Sequence, residues 1–356
     1  MDLSADDDRA RAMTLKALIK NRHRIVASQR GVALILVLWV FIFLFVVAFD
    51  FSASVREEAT AAHRFSDETQ GYYLALAGFE KGLYEVLHQQ PSVPVQSPEP
   101  KKNDLFDGSW REENFAGGVF RVRLIDEGGK INLNRVNEET LRRVFTNLGI
   151  DDQRRDILVD SIMDWRDPDD LHRTNGAEND YYLAQSPPYT AKNGPLDSVE
   201  DLLWIRGMTQ ELFFGYGDAT DSSSPNQPRI ALKDIFTVDS PIDRVNLRTA
   251  SAEVIHAVMG ISLEKSRNFI EERNKSSEKT LADLLPLLGI GSGDPALRLF
   301  IFTNPAVVAV QAEGKLLDSG LRRRVNGIVR LGGARGYELL RWLDRDFSLP
   351  QSEIIR

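Results

Sequence analysis

The sequence contains no cysteine among its 356 residues. This absence excludes disulfide bonds and thiolate metal sites, and it suits a chain that works in an oxidising compartment without disulfides. Histidine is scarce, with five residues scattered along the chain. The P-loop, the Rossmann fingerprint and the Gly-x-Ser-x-Gly element do not occur in the sequence. We therefore predict that the protein is not an enzyme.

An excess of positive charge is also lacking. The chain has 44 lysine and arginine residues against 52 aspartate and glutamate residues, for a net charge of -8. Proteins that bind nucleic acid obtain much of their affinity from clustered cations on phosphates. The bulk composition therefore argues against a nucleic-acid-binding protein.

One long apolar run stands out near the N-terminus, at residues 32–49 (VALILVLWVFIFLFVVAF). It is just long enough to cross a membrane as a helix, and an amphipathic stretch up to His88 would extend that helix beyond the bilayer. Basic residues precede the run, namely Lys16, Lys20, Arg22, Arg24 and Arg30. The acidic residues Asp50, Glu57 and Glu58 follow it. The positive-inside rule predicts a single-pass inner-membrane protein with a cytoplasmic N-terminus and a periplasmic C-terminal domain.

A glycine lies directly before this run, in the pair Arg30-Gly31. In this feature the chain resembles the type IV pilin-like proteins, whose leader is cut after such a glycine by a prepilin peptidase. The resemblance implies a cytoplasmic leader at residues 1–31 and a mature chain that begins at Val32 with a methylated amine. Initiation at Met1 or at Met13 is compatible with the sequence.

The fifth mature position is Leu36, where most pilin-like proteins have a glutamate. A carboxylate inside a bilayer costs roughly 2.5–3.5 kcal/mol on insertion scales and needs a partner that neutralises it. A chain without that glutamate needs no such neighbour. This feature suits a subunit at the tip of a fibre.

Strand patterns flank the middle of the exported part. A proline-rich break at residues 91–100 ends the helical region. Residues 119–125 alternate in polarity, and the turn 127–129 followed by 131–133 predicts a β-hairpin. Three further strands are predicted at 306–312, 321–331 and 337–343.

Between these strands the pattern is helical and repeats. Residues 131–150 and 245–261 each have an Asn-Leu element, a polar N-cap and a helix that closes at a glycine, Gly149 or Gly260. A second matching pair lies at 196–208 and 280–290. These repeats resemble helix-hairpin-helix modules of the sterile-alpha-motif-like kind, some of which bind DNA. The acidic residues Asp151, Asp152 and Asp294 would repel phosphate, so we expect a structural use of the modules.

The order of the patterns predicts an α+β fold. A long N-terminal transmembrane helix precedes a pilin-like antiparallel sheet, into which a large all-α domain of two helix-hairpin-helix modules is inserted. The predicted ranges are 32–90 for the helix, 104–130 for the first part of the sheet domain, 131–219 for the first module with an acidic loop, 229–303 for the second module, and 304–356 for the C-terminal strands.

Four motifs together are similar to the family of general secretion pathway protein K, a minor pseudopilin of type II secretion. They are KINLN (130–134), SIMDWRDPDD (161–170), GAENDYY (176–182) and LDSVEDLLWIRGM (196–208). The resemblance implies a complex with minor pseudopilins I and J at the pseudopilus tip, above the major pseudopilin, that initiates assembly for export across the outer membrane. A membrane-anchored DNA-binding or uptake receptor is the alternative from another class.

Residues 164–180 concentrate carboxylate and amide oxygens. Hard oxygen ligands on a loop suit Ca²⁺, whereas a lone His172 and the absence of thiols disfavour zinc. The alternative is a solvated acidic loop, or acids paired with Arg166 and Arg173. The family resemblance implies calcium in the helical domain, and we expect it to be structural, since it would order a long loop. The candidate ligands are Asp167, Asp169, Asp170, Glu178, Asn179 and Asp180.

Overall fold

The computed structural model describes residues 5–88, 104–215, 230–275, 281–291, 293–333 and 336–344. The predicted proline-rich break at 91–100 and the first four residues of the predicted leader lie outside these ranges. The chain divides into two compact units, residues 1–67 and 68–356. The residue bounds predicted for the domains remain predictions.

Helix α1, Ala5–His88, is unbroken and contains all the described residues of the first unit. The apolar side chains of residues 32–49 are all exposed. This stretch is long and apolar enough to cross a membrane, and it fits the predicted transmembrane anchor.

The second unit is built on an antiparallel sheet. Its strands and those of two short parallel pairs are β1 Arg111–Phe115, β2 Gly118–Asp126, β3 Ile131–Asn132, β4 Phe236–Thr237, β5 Val245–Asn246, β6 Phe300–Ile301, β7 Val307–Leu316, β8 Arg322–Leu331 and β9 Tyr337–Leu343. The five-stranded sheet has the order β1-β2-β7-β8-β9. Strands β2 and β7 are neighbours in the sheet although residues 127–306 separate them in sequence. The predicted insertion of a helical domain into a sheet is therefore confirmed, together with the α+β fold class.

The last turns of α1 pack on one face of this sheet. Buried and partly exposed residues alternate strictly along β2, which places Val122 and Leu124 against Phe79 and Leu83 of the helix. Glycine at position 82 permits the close approach of α1 to the sheet. A Cβ added at Gly82 would lie 2.7 Å from Val122 Cγ2 and 3.0 Å from Val310 Cγ1.

The predicted hairpin between residues 119–125 and 131–133 is wrong. Strand β2 instead forms a hairpin with β1, through a turn in which Ala116 and Gly117 both have positive φ. After β2, Glu127–Gly129 form a 3-10 helix, and the Asp126 carboxylate accepts a hydrogen bond from the Gly128 amide at 2.9 Å. This cap turns the chain out of the sheet, and β3 pairs in parallel with β4.

The inserted helices share one hydrophobic core. They are α2 Glu138–Asn147, α3 Asp152–Arg166, α4 Asn179–Leu183, α5 Gln210–Phe214, α6 Leu232–Ile235, α7 Ala252–Met259, α8 Leu263–Lys275 and α9 Leu281–Leu284. Helices α2 and α7, one from each predicted module, meet where Asn147 donates a hydrogen bond to the Ala257 carbonyl at 2.8 Å. The two modules therefore form a single packed body.

The internal repeat extends to hydrogen bonds that the sequence pattern does not reveal. The amides of Leu133 and Leu247 donate to strand carbonyls at 2.8 Å in equivalent positions. In the second module, Arg273 donates to the carbonyls of Leu247 and Ala250. In the first module, Arg166 donates to the equivalent carbonyls, those of Leu133 and Val136. An arginine on the second helix of each module thus holds the turn that opens the first helix.

The packing of α1 on the sheet predicts the effect of filling the glycine contact. A Gly82→Val substitution should destabilise the chain by about 1–3 kcal/mol, because its side chain would overlap those of Val122 and Val310. The control is Glu80→Val on the exposed side of the same helix, which changes helix propensity alone. Chemical denaturation of the detergent-solubilised chain measures the free energy of unfolding of both variants. Equal losses for the two variants would contradict this packing.

Candidate metal centre

The acidic loop begins where α3 ends. Asp167 is the C-cap residue of that helix, and its amide donates to the Met163 carbonyl at 3.1 Å. The loop returns at Glu178, directly before α4. Its two ends are held together by an edge contact between Trp165 and the fully buried Tyr182, whose ring centroids lie 5.1 Å apart. This contact brings together acids that are far apart in the sequence of the loop.

Three of the predicted ligands converge. Asp167, Asp169 and Glu178 each present a carboxylate oxygen, and these oxygens lie within 4.8 Å of one another. Glu178 is only 1% exposed. Within the described part of the chain, neither of its carboxylate oxygens has a hydrogen-bond partner, and Oδ1 of Asp167 also has none. Buried carboxylate oxygens without a donor are destabilising unless a cation or a proton compensates them.

The electrostatics of Glu178 reflect this arrangement. Burial raises its pKa to about 7, and the negative charges of Asp164, Asp167, Asp170 and Asp169 add to the increase. At neutral pH the cluster therefore holds either a proton or a poorly compensated charge. A divalent cation would neutralise the buried Glu178 carboxylate and reduce its repulsion with the neighbouring aspartates.

Arg173 neutralises part of the negative charge of the cluster. Its guanidinium donates to Asp164 at 2.6 Å and to Oδ2 of Asp167 at 2.8 Å. The loop packs closely against Asp164, which is fully buried. A Cβ added at Gly176 would collide with the Asp164 carboxylate. Arg166, the other arginine that the sequence offered as a partner, is instead bound to backbone carbonyls. The pairing with Arg173 thus leaves Oδ1 of Asp167 and the whole Glu178 carboxylate for another partner.

The remaining predicted ligands occupy different places. Asp170 accepts hydrogen bonds from the side-chain amides of Asn179 at 2.7 Å and of Asn193 at 3.0 Å. The side-chain oxygen of Asn179 accepts the Ala191 amide at 2.9 Å. Asp180 is exposed, and its carboxylate accepts the amide of Tyr181. The structure therefore gathers Asp167, Asp169 and Glu178, places Asp170 and Asn179 in a supporting hydrogen-bond network, and leaves Asp180 outside the cluster.

Sequence reasoning missed Asn193 as part of this network. Its side chain donates to both the carbonyl of Asp169 and the carboxylate of Asp170, and its φ is +47°. Asparagine tolerates this left-handed conformation better than most residues. An asparagine directly before Gly194 was the available signal for this conformation. Its contact with the loop was not predicted, because Asn193 is far from Asp169 and Asp170 in the sequence.

The predicted processing site lies in the first unit. Gly31 is within α1, and among the described residues no atom would lie within 4 Å of a Cβ added there. Val32 is 63% exposed.

The raised pKa of Glu178 predicts a pH dependence in the presence of a chelator. The folded chain binds this proton more tightly than the unfolded chain, so the group's contribution to the free energy of unfolding falls as pH rises from about 4.5 to about 7. Glu178→Gln should therefore stabilise the chelated protein by about 1–3 kcal/mol at pH 8 and by little at pH 4.5. Denaturation at both pH values measures this, with Glu139→Gln, on a side chain that is 82% exposed, as the control. A Glu178→Gln variant that is less stable than the unaltered chain at pH 8 would contradict the geometry.

Comparison with known proteins identifies relatives of this fold. The family model for protein K of the type II secretion system matches residues 123–214. The putative type II secretion system protein K of Escherichia coli K12 is 27% identical over 205 residues, which cover 52% of this chain and 60% of that protein. The type II secretion system protein K of Pseudomonas aeruginosa is 24% identical over 327 residues, which cover 85% of this chain and 91% of that protein.

A solved structure has the same fold. In the crystal structure of the GspK–GspI–GspJ complex from enterotoxigenic E. coli, one chain matches with a TM-score of 0.56 and 17% identity, over 83% of this chain and 99% of that chain. These relatives are secretion proteins, and they give no support to the DNA-uptake alternative. The family model, the full-length relative and the shared fold agree. The chain is therefore similar to type II secretion system protein K, through a family model over residues 123–214 and a relative that matches over 85% of this chain.

Proposed function

We propose that this chain is a minor pseudopilin that forms the tip complex of a type II secretion pseudopilus with minor pseudopilins I and J. The observation that supports this function best is the architecture itself. Helix α1 contains a stretch that is long and apolar enough to cross a membrane. Its last turns pack on a small sheet, and about 180 residues are inserted between the adjacent strands β2 and β7. The similar GspK chain was solved in a complex with GspI and GspJ.

The physical properties of each unit suit a tip subunit. In the first unit, Leu36 replaces a carboxylate that would need a neutralising neighbour in the bilayer. In the second unit, the helical insertion adds a large packed body to the sheet domain. We infer that this bulk leaves no room for a subunit above it, so that the major pseudopilin adds from below and the tip complex initiates assembly.

Membrane insertion and processing follow the same proposal. The basic residues before position 32 favour a cytoplasmic N-terminus in the inner membrane, and they send the folded head to the periplasm. A prepilin peptidase would cut between Gly31 and Val32, and the new amine would be methylated.

We further propose that the cluster of Asp167, Asp169 and Glu178 binds a structural Ca²⁺. Calcium takes about six to eight oxygen ligands at flexible geometry, so backbone carbonyls and water would complete a set that carboxylates begin. The ion would neutralise the buried Glu178 charge and link the end of α3 to the start of α4. It would order the loop and take no part in any reaction.

The tip assignment predicts a stable complex. Co-expression of the full chain with minor pseudopilins I and J of the same organism should yield a heterotrimer in detergent, and mass spectrometry of this chain should show an N-terminus at Val32. The control is the same purification with the major pseudopilin in place of both partners. A chain that purifies without I and J would contradict the proposed function.

The calcium assignment predicts a reversal of the Glu178→Gln effect. With Ca²⁺ present, Glu178→Gln should lower the melting temperature, because a ligand is lost, whereas the same change stabilises the chelated protein at pH 8. Isothermal titration with Ca²⁺ should show affinity reduced at least about tenfold for Asp167→Asn and Glu178→Gln. Asp180→Asn is the control and should bind within about threefold of the unaltered chain. Unchanged calcium affinity in Glu178→Gln would exclude this site.

A further inference from the structure

Three asparagines in the sequence are followed directly by glycine: Asn175, Asn193 and Asn326. An Asn-Gly pair is the context in which asparagine loses its amide group most readily. The reason is that glycine has no Cβ to hinder the attack of its backbone nitrogen on the asparagine carboxamide. Asn326 lies in strand β8, whereas the side chain of Asn193 contacts the acidic loop. The pair at Asn193 can therefore respond to the state of that loop.

The closed loop holds both groups that would react at Asn193. Its Nδ2 donates to the Asp169 carbonyl at 3.1 Å and to the Asp170 carboxylate at 3.0 Å, so the group that would leave is bound on both sides. The nucleophile is the backbone nitrogen of Gly194, which donates its hydrogen to the Trp165 carbonyl at 3.2 Å. Loss of the amide therefore requires these hydrogen bonds to break, which means that the loop must open locally.

Packing among the described residues does not require glycine at position 194. A Cβ added there would lie 3.8 Å from the Lys192 carbonyl oxygen, which is an ordinary van der Waals distance. Gly194 is also not one of the glycines with positive φ. Gly176 differs, because a Cβ there would collide with the Asp164 carboxylate. Alanine can therefore replace Gly194 without disturbing the loop, and it would hinder the attacking nitrogen.

We propose that Asn193 is a site of spontaneous deamidation, that calcium protects it by keeping the loop closed, and that its reaction weakens the calcium cluster. This inference rests on the proposed calcium site. In the first step, the Gly194 nitrogen bonds to Cγ of Asn193 and the Cγ–Nδ2 bond breaks. The proton of the Gly194 amide goes to the departing nitrogen, which leaves as ammonia. Water then opens the resulting cyclic imide at either carbonyl and gives aspartate or isoaspartate.

The product has a carboxylate in place of the carboxamide at position 193. Both hydrogen bonds of Nδ2 are lost, and the new negative charge lies beside the Asp170 carboxylate. Asp169, whose carbonyl loses its donor, also presents a carboxylate oxygen to the cluster. Asn193→Asp represents the reacted chain and should bind Ca²⁺ at least about tenfold more weakly. Deamidation would thus make the effect of a period without calcium permanent.

Peptide mass spectrometry of the full chain in detergent measures the rate of deamidation at pH 8, with saturating Ca²⁺ or with a chelator. At a Ca²⁺ concentration about 100 times the dissociation constant, binding lowers the population of the opened loop about 100-fold. We therefore expect Asn193 to react at least about tenfold faster in the chelated chain. Asn326 is the internal control, because it is paired in the sheet with Gln311 and Leu343. Its rate should change within about twofold.

Gly194→Ala is the matched variant. It should lose the fast reaction at Asn193 in the chelator and keep the calcium affinity and melting temperature of the unaltered chain.

Isothermal titration with Ca²⁺ separates the possible failures. If the unaltered chain binds Ca²⁺ and Asn193 reacts equally fast with and without it, this inference is overturned while the calcium site stands. An Asn193→Asp variant that binds Ca²⁺ as tightly as the unaltered chain would also overturn the inference alone. If the unaltered chain does not bind Ca²⁺, the calcium site and this inference are both overturned.

Discussion

The pairing of β2 with β7 is the constraint on which the rest of the second unit depends. The two strands align from Gly118 opposite Leu316 to Asp126 opposite Val308, although about 180 residues lie between them. The entropy of closing so long a loop grows only with the logarithm of its length, so an insertion that folds on its own core adds little to that cost. The inserted helices meet this condition, because they share one continuous hydrophobic core.

Three buried acids show how differently the chain compensates negative charge. Glu313 is surrounded by three arginines, and Asp164 is paired with Arg173. Glu178 is as deeply buried, yet within the described residues its oxygens have no donor. A buried charge is tolerated only when something compensates it. This contrast distinguishes the acidic loop from an ordinary solvated loop, and it connects a packing observation to the proposed calcium ion.

The sequence predicted those features whose signals are local. The alternation in 321–331 marks β8, and the capped, glycine-terminated helices mark the two modules. Strand β1 was not predicted, because its residues are polar and mostly exposed, so neither alternation nor an apolar run indicated a strand. The hairpin at 127–129 was wrong because a side-chain cap from Asp126 replaces the turn. The contacts of Arg121, Arg322 and Arg324 with Glu313 depend on strand register, and the contact of Asn193 with Asp170 depends on loop packing. Both join residues that are far apart in sequence.

The function that we propose requires that this chain caps a fibre and does not repeat along it. Electron cryo-microscopy of pseudopili assembled with this chain and its partners tests that claim directly, with the chain labelled through a cysteine introduced on the exposed surface of the helical insertion. Because the natural sequence has no cysteine, the label reports one position. We expect a single label at one end of each fibre. Labels repeated at regular intervals along the fibre would contradict it.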